Sequence, residues 1–392
     1  MLYRENPKNG DKLSQLGFGC LRFPKKGQSI DIVKTTELVH HAIDNGINYF
    51  DTAYIYPGSE AALGKALAGG WREKIKITTK MPLFFVRTAS DFDKFFEKQL
   101  ERLQTDYIDY YMLHMLTSFE AFEKFKDMGL LEWAEKEREK GRIINLGFSF
   151  HGSYDAFTRI VDSYDWDICM IQYNYIDENH QAGVKGLKYA SDKGIPVMIM
   201  EPLRGGRLTD KLPEDAANAF KNVDTKRSFA DWGLRWVWNH PEVTLLLSGM
   251  TTMQQLSENL KIASEVRANS VTEHEKAAYA EALAAIRKTI LVNCTGCGYC
   301  VPCPKNVNIP GTFSHFNDSV IVGKSRAKRK YLVSHGVLAK KSAFASQCVK
   351  CGKCEAHCPQ DIQIIEELEK AEAVLESFWM KPVSKIARLF TQ

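Results

Sequence analysis

From Leu13 to Ile262, short apolar strands alternate with amphipathic helices, and polar residues gather at the C-terminal ends of successive strands. These two observations predict an α/β fold, a TIM (β/α)8 barrel with a parallel sheet and right-handed crossovers. A third observation predicts a separate module: eight of the ten cysteines lie in two short runs near the C-terminus. The expected domains are 1–288 and 289–392.

The strands read in order are Leu16–Gly19, Ile47–Asp51, Ile75–Lys80, Tyr107–His114, Ile143–Ser149, Ile168–Gln172, Ile195–Met200 and Val243–Ser248. Helical segments such as Ile32–Asn45, Ser59–Ala68 and Phe92–Leu103 separate them. Gly46 and Gly194 stand where helices would need a C-cap. A doubly wound open sheet is the competing arrangement. The barrel is preferred because polar strand ends around one mouth are what a barrel site requires. Helical sequence at Thr272–Ile290 leads into the second domain, and Ile362–Phe378 reads as an amphipathic helix. The tail, Trp379–Phe390, mixes aromatic and basic residues; packing on its own protein is preferred to contact with a membrane surface.

The first cysteine run is Cys294, Cys297, Cys300 and Cys303, and the second is Cys348, Cys351, Cys354 and Cys358; a proline follows each. The second run has the Cys-x2-Cys-x2-Cys-x3-Cys-Pro spacing of a bacterial ferredoxin, and the first is one residue short in its last gap. Thiolates at this spacing wrap [4Fe–4S] cubes, so the second domain is expected to be small, mainly helical and ferredoxin-like, with two clusters. In two-cluster ferredoxins the fourth cysteine of each run serves the other cluster. Cys294, Cys297, Cys300 and Cys358 are therefore assigned to one cluster, and Cys348, Cys351, Cys354 and Cys303 to the other. Zinc is the weaker alternative, since it usually takes paired Cys-x-x-Cys motifs. Cys20 and Cys169 lie apart and read as small buried hydrophobes.

The chain has 392 residues, enough for a large domain and a small one. A net charge of +4 is too small to argue for nucleic acid, and no apolar run is long enough to span a bilayer. Reduced thiols, oxygen-sensitive clusters and the absence of an opening signal peptide point to the cytoplasm and away from a disulfide framework.

Four polar residues at or just beyond strand ends form a chemical set: Asp51, Tyr56, Lys80 and His114. Carbonyl reduction needs a proton donor beside the oxygen that gains charge. A phenol alone is too weak, with an unperturbed pKa near ~10. A nearby ammonium lowers that value, a carboxylate holds the ammonium, and an imidazole orients the substrate or shares the proton. Singly, each residue has an ordinary structural explanation; the ordered set carries the reading.

Over residues 12–262 the chain resembles the aldo-keto reductase family. The resemblance rests on Gly17-Phe18-Gly19, Asp51-Thr52-Ala53 with Tyr56 and Ser59-Glu60, Lys80, and Leu103-Gln104-Thr105-Asp106-Tyr107-Ile108-Asp109 leading to His114. It continues through Gly147-Phe148-Ser149, Gln172-Tyr173-Asn174, Pro202-Leu203 and Glu258-Asn259-Leu260. With its cysteine-rich tail the chain looks like the iron–sulfur-containing branch of that family. The resemblance implies a catalytic tetrad of Asp51, Tyr56, Lys80 and His114, with Tyr56 as the acid. It also implies NAD(P)H across the barrel mouth, with Ser149 and Gln172 at the carboxamide and Asn259 on the adenine side. Arg204, Gly205 and Gly206 follow the seventh strand, where barrels often bind phosphate; an ordinary flexible turn is the alternative.

Three departures from the family pattern bear on the cofactor. Phe150 and His151 follow Ser149 in place of an Asn, and Met200-Glu201 replaces an aromatic and a serine. The cationic pair for an adenosine 2′-phosphate falls at Gly249 and Gln255. No clear preference for NADPH is therefore expected, and a flavin in the same mouth stays open. The expected function is reduction of a small carbonyl or related unsaturated substrate, coupled to electron transfer through the clusters. The alternative is an electron-transfer subunit or redox sensor whose barrel docks a partner or cofactor. The basic stretch Lys324–Lys330 is a candidate dock for a ferredoxin or flavodoxin; cations that merely offset the clusters are the other reading.

Overall fold

The computed structural model describes residues 1–210, 212–337, 339 and 341–388, with side chains described as far as residue 385. Eight parallel strands close into a barrel: β1 (Leu16–Gly19), β2 (Tyr49–Asp51), β3 (Lys76–Met81), β4 (Ile108–Leu116), β5 (Ile143–Phe150), β6 (Ile168–Gln172), β7 (Val197–Met200) and β8 (Val243–Ser248). Each strand pairs with its sequence neighbours, and β8 returns to β1 with Leu246 opposite Leu16 and Ser248 opposite Phe18. The closed ring rules out the open-sheet alternative.

Side chains alternate across each strand, which sorts the sequence into two cores. Tyr49, Tyr110, Met112, Ile168, Met170, Met198, Leu245 and Leu247 form one cluster with Leu13 and fill the barrel. The residues between them, such as Phe50, Tyr111, Ile171, Ile199 and Leu246, join the larger core beneath the helices. Leu13 comes from an antiparallel hairpin, Tyr3–Glu5 with Lys12–Ser14. Tyr110, near the start of β4, donates from its hydroxyl to Asp11 at 2.6 Å, so the hairpin plugs the N-terminal end. The opposite mouth is left for chemistry.

The helices carry the expected signals. Ile32–Asp44 starts at Asp31, whose carboxylate accepts from Lys34 N–H, and it buries Thr35, Leu38, Val39 and Ala42 at i, i+3, i+4 and i+7. It ends at Asn45, and Gly46 takes a left-handed φ of 91°. The helix Ser59–Ala66 lies close against the end of Ser90–Leu103. A Cβ on Gly64 would meet the Arg102 carbonyl oxygen at 2.5 Å, so only glycine permits that approach.

By its internal contacts the chain divides into two compact units, 1–203 with 227–273, and 204–226 with 274–392. The sequence reading sets one cut, after residue 288; the observed units interleave along the chain. In the second unit, helices Ile309–Val322, Lys324–Tyr331 and Ile364–Leu375 surround a small core that includes Phe313, Phe316, Tyr331, Phe344 and Leu368. The buried Asn317 side chain accepts from Leu291 and Val292 N–H at 2.9 and 2.8 Å and donates to Val292 O. It thereby fixes the segment that leads into the first cysteine run. The tail segment forms a helix, Met380–Arg388, that the sequence reading did not specify; residues 389 and 390 of that segment lie outside the described residues. No described helix is long and apolar enough to cross a membrane.

Candidate active site and cluster-binding module

Strand register brings the first set together. Asp51, Lys80 and His114 end or nearly end the adjacent strands β2, β3 and β4, and each is buried. Lys80 Nζ donates to Asp51 Oδ1 at 2.6 Å and to the Thr52 carbonyl at 2.8 Å. Tyr56, half-buried in the loop after β2, has its ring centroid 5.2 Å from Lys80 Nζ. Its ring meets His114 edge-on, with centroids 6.1 Å apart. Burial pushes the Asp51 carboxyl above its ordinary range, while the Lys80 charge and hydrogen bond pull it down. Burial, then the charges of Lys80 and His151, hold the His114 imidazole well below its ordinary value, so it is neutral at pH 7. A cation beside a phenol favours the phenolate and makes that phenol a better acid.

The loop carrying Tyr56 is anchored from behind. Glu60 is buried and accepts from Thr79 and Gln99 at 2.6 and 2.9 Å and from Arg102 at 3.0 Å. Ser59 Oγ donates to the Cys20 carbonyl at 3.0 Å. These bonds tie the start of Ser59–Ala66 to β3 and to the loop after β1.

His114 sits at an irregularity in β4. The pairing of β4 with β5 shifts register between Leu113 and Leu116, and Met115 takes a left-handed φ of 59°. Such bulges re-aim side chains beside sites. The Met115 N–H is taken by Ser149 Oγ at 2.9 Å. Ser149 thus holds the turn that sets His114, a role the sequence did not disclose.

The cysteine-rich unit brings the second set together. Cys294, Cys297, Cys300 and Cys358 line one pocket, walled by Ile309, Phe313, Ile362 and Ile364. An apolar chamber with four thiols on its wall suits a cube of iron and sulfide held by thiolates. In the other set, Cys348 and Cys354 lie within electrostatic reach of each other, Cys303 packs on the same small core as the cysteines of both sets, and Cys351 is exposed. The two runs share one turn. Gly296 N–H points at Cys294 Sγ and Lys350 N–H at Cys348 Sγ, each at 3.4 Å. Gly296, Gly298, Lys350 and Gly352 all have left-handed φ, of 73°, 84°, 55° and 72°. Burial pushes the Cys294, Cys300 and Cys358 thiols up, and Cys354 to about 11. Iron binding would have to displace those protons. Cys20 and Cys169 are buried, as expected of small hydrophobes.

Comparisons with known proteins fit both halves. The profile of the Aldo/keto reductase family matches residues 15–278. The chain belongs to the aldo/keto reductase family. A 4Fe-4S dicluster domain profile matches residues 293–363, so this reductase-type oxidoreductase carries an iron–sulfur domain. Among curated relatives, an uncharacterized oxidoreductase of Bacillus subtilis is 25% identical, over 67% of this chain and 90% of its own length. The NADH-specific methylglyoxal reductase of Escherichia coli is 24% identical, over 63% of this chain and 89% of its own. The structure of an aldo-keto reductase from Bacillus halodurans, in its holo form, matches with a TM-score of 0.59 at 24% identity. It covers 72% of this chain and 96% of that one, and supports the fold.

Within the family, cofactors are nicotinamide nucleotides, and this barrel mouth carries polar groups on the matching face. Ser149, one residue before the end of β5, and Gln172, the last of β6, lie on the inner face that also presents His114. Gln172 Nε2 donates to Asp177 at 2.9 Å, as does the Asn174 amide at 3.0 Å. Asn259 Nδ2 donates to Ser248 Oγ at 3.1 Å. Phe150 turns the other way: it is fully buried in the outer core, 5.3 Å from the Phe157 ring. Met200 packs against the barrel interior, and Glu201 adopts a left-handed φ of 57°. Arg204, Gly205 and Gly206 group with the cysteine-rich unit, where the buried Arg204 donates to Asn293.

Beside Gly249 and Gln255 the structure brings a cation that the sequence reading did not consider. Gln255 caps the helix Met253–Glu265, accepting from Thr251 and Thr252 N–H at 2.8 and 3.3 Å. The exposed Arg22 lies against Gly249, where a Cβ would meet its side chain at 3.3 Å. Glycine at 249 therefore makes room for a cation supplied from the loop after β1. No local motif could have announced this, because the two positions are joined only by the fold.

The buried imidazoles make acid stability testable. His114 is held well below its ordinary value, and burial takes His151 down to about 4. Unfolded histidine protonates near ~6.5. Below that pH the unfolded chain binds more protons than the folded one, so stability falls as pH drops from about 6.5 towards 4. Unfolding midpoints followed by tryptophan fluorescence at fixed cluster content should decline over that window, and His151→Gln should flatten the decline. A flat wild-type profile would contradict this assignment.

Proposed function

We propose that the chain reduces a small carbonyl or related unsaturated substrate in the barrel, with Tyr56 as proton donor, and that two [4Fe–4S] clusters connect that site to an electron carrier. The observation that carries the reading is the Asp51–Lys80 pair beneath Tyr56 and His114 in a chain that also gathers four thiols in one chamber. Two curated relatives whose names specify small carbonyls, a glyoxal reductase of Bacillus subtilis and the methylglyoxal reductase, support that substrate class. When bound, a nicotinamide would supply hydride. This chain's residues do the rest: neutral His114 orients the carbonyl oxygen, Tyr56 Oη gives it a proton, and Lys80, held by Asp51, stabilises the phenolate left behind.

Hydride carries two electrons and each cluster carries one, so a converter is required. A flavin in the barrel mouth or in a partner, or a substrate reduced stepwise, would serve. The helix Lys324–Tyr331 has no acidic residue and exposes Lys324, Arg326, Arg329 and Lys330. It is the proposed dock for a ferredoxin or flavodoxin in the cytoplasm. Reduced carrier mixed anaerobically with the protein should bleach the clusters, more slowly as salt rises. Cluster reduction by NADH without flavin, together with none by carrier, would reverse the proposed electron flow.

Nucleotide choice is a separate expectation. With Gly249 and Gln255 in place of cations, titration should give little preference for NADPH over NADH. A preference of about a hundredfold, ~2.7 kcal/mol, that Arg22→Ala abolishes would identify Arg22 as the replacement cation.

A further inference from the structure

Three parts of the cysteine-rich unit converge on one carboxylate. Glu376, which follows the helix Ile364–Leu375, accepts from the Tyr331 hydroxyl at 2.8 Å, from Ser346 N–H at 3.2 Å and from the Ser346 hydroxyl. Tyr331 ends the basic helix Lys324–Tyr331, and Ser346 lies two residues before Cys348. Phe378 and Trp379 begin two residues beyond Glu376. A second tie lies further back on the same helix: Lys350, between Cys348 and Cys351, pairs with Glu369. Glu369 and Glu376 are seven residues apart, about 10 Å along a helix axis. The end of the basic helix, the second cysteine run and the aromatic pair therefore lie together.

Phe378 is 95% exposed, and Trp379 and Val383 are exposed beside it. Against the sequence expectation, the tail packs on its own protein only in part: Met380 and Ser384 are buried, Ser384 against Gly336, and the aromatic pair is not. Cys351 is the one exposed cysteine of the chain, and Val349, Lys350 and Lys353 are exposed about it. A cluster held by an exposed ligand has an edge at the surface. Lys324, Arg326, Arg329, Lys330 and Lys353 are exposed and form no ion pair among the described residues. Of the acids on helix Ile364–Leu375, Glu369 pairs with Lys350, and Glu366 and Glu367 pair with Lys370, which leaves Glu372. An aromatic centre rimmed by unpaired cations suits a transient protein interface, where aromatics anchor and rim charges steer. The cluster edge beside it selects the occupant: a one-electron carrier uses that edge, whereas a lipid surface or a second copy of this chain leaves it idle.

We propose that Phe378 and Trp379 anchor an acidic one-electron carrier protein beside Cys351, with Arg329, Lys330 and Lys353 as the steering rim. Electrons then enter by the second-run cluster. One electron leaves the reduced carrier, which is oxidised, and reduces that cluster; no bond changes. This deepens the carrier and dicluster readings above and rests on them.

The test is anaerobic stopped-flow mixing of the fully loaded chain with reduced plant-type ferredoxin, an acidic carrier, following cluster bleaching across a salt series. Dithionite reduction at matched iron content is the reference. Phe378→Ser should raise the ferredoxin concentration for half-maximal rate about tenfold, at low and high salt alike. Phe378→Trp should restore it. Lys353→Glu should slow bleaching about tenfold at low salt and flatten the salt dependence. Missing iron in wild type removes the dicluster reading, and wild type reduced by dithionite but never by ferredoxin removes the carrier reading. With wild type bleached by ferredoxin, an unmoved half-maximal concentration in Phe378→Ser, or an unchanged salt slope in Lys353→Glu, overturns the docking surface alone. So does a Phe378→Ser chain with wild-type ferredoxin kinetics that has lost sedimentation with anionic phospholipid vesicles, or lost a dimer in analytical ultracentrifugation; the aromatic pair then serves a membrane or a second copy.

Discussion

Tyr56→Phe is expected to cut carbonyl turnover by ~10²–10⁴-fold, the usual cost of losing a general acid. The ring would stay edge-on to His114 and above Lys80, so binding should change far less than turnover. Lys80→Met should do comparable damage by a different route. It removes the ammonium that favours phenolate and leaves the buried Asp51 carboxyl without its 2.6 Å partner. Iron content and cluster spectra should be untouched in both variants. Steady-state kinetics with a small dicarbonyl, at matched iron content, decides the matter; wild-type turnover in Tyr56→Phe would remove the phenol from the mechanism.

Cys358→Ala is expected to cost the chain half of its iron, from about eight atoms to about four, since each cube holds four. The remaining cluster should be the one at the second run, although Cys358 belongs to that run in sequence. The reason is spatial: Cys358 shares its chamber with Cys294, Cys297 and Cys300. Cys294→Ala and Cys358→Ala should therefore give the same resonance spectrum, and Cys348→Ala and Cys303→Ala the complementary one. Cys303 is the sharper trial, because its run is one residue short. Two intact clusters in Cys303→Ala would strike it from the ligand set.

Much of the barrel was legible because β-strands have a period of two. The same alternation turns Phe150 into the outer core, although the sequence reading counted it among the departures at the cofactor site. Asp51, Lys80 and His114 were legible because each lies at or near a strand end, and neighbouring strands in sequence are neighbours in the ring. Backbone devices and cross-chain partners were not. Nothing in a methionine announces the left-handed turn at Met115, and the serine that holds it is 34 residues away. Arg22 against Gly249 is likewise a product of barrel closure. Arg204 was read with its glycine neighbours as a phosphate site or an ordinary turn; its hydrogen bond to Asn293, 89 positions along the chain, was not legible.

The interleaving of the two units bears on how the protein is made. Residues 204–226 leave the ribosome well before 274–392, the segment they pack with. Phe220 waits for Tyr279, whose ring it meets at 5.5 Å, and Arg204 waits for Asn293. Until then the barrel sequence carries an unfinished excursion between β7 and β8. Domains released in order from the N-terminus complete themselves one at a time; here the late arrival of the cysteine-rich end governs when that excursion is tied down. Limited proteolysis of a chain truncated after residue 273 should therefore cut between Arg204 and Lys226, where the full chain resists.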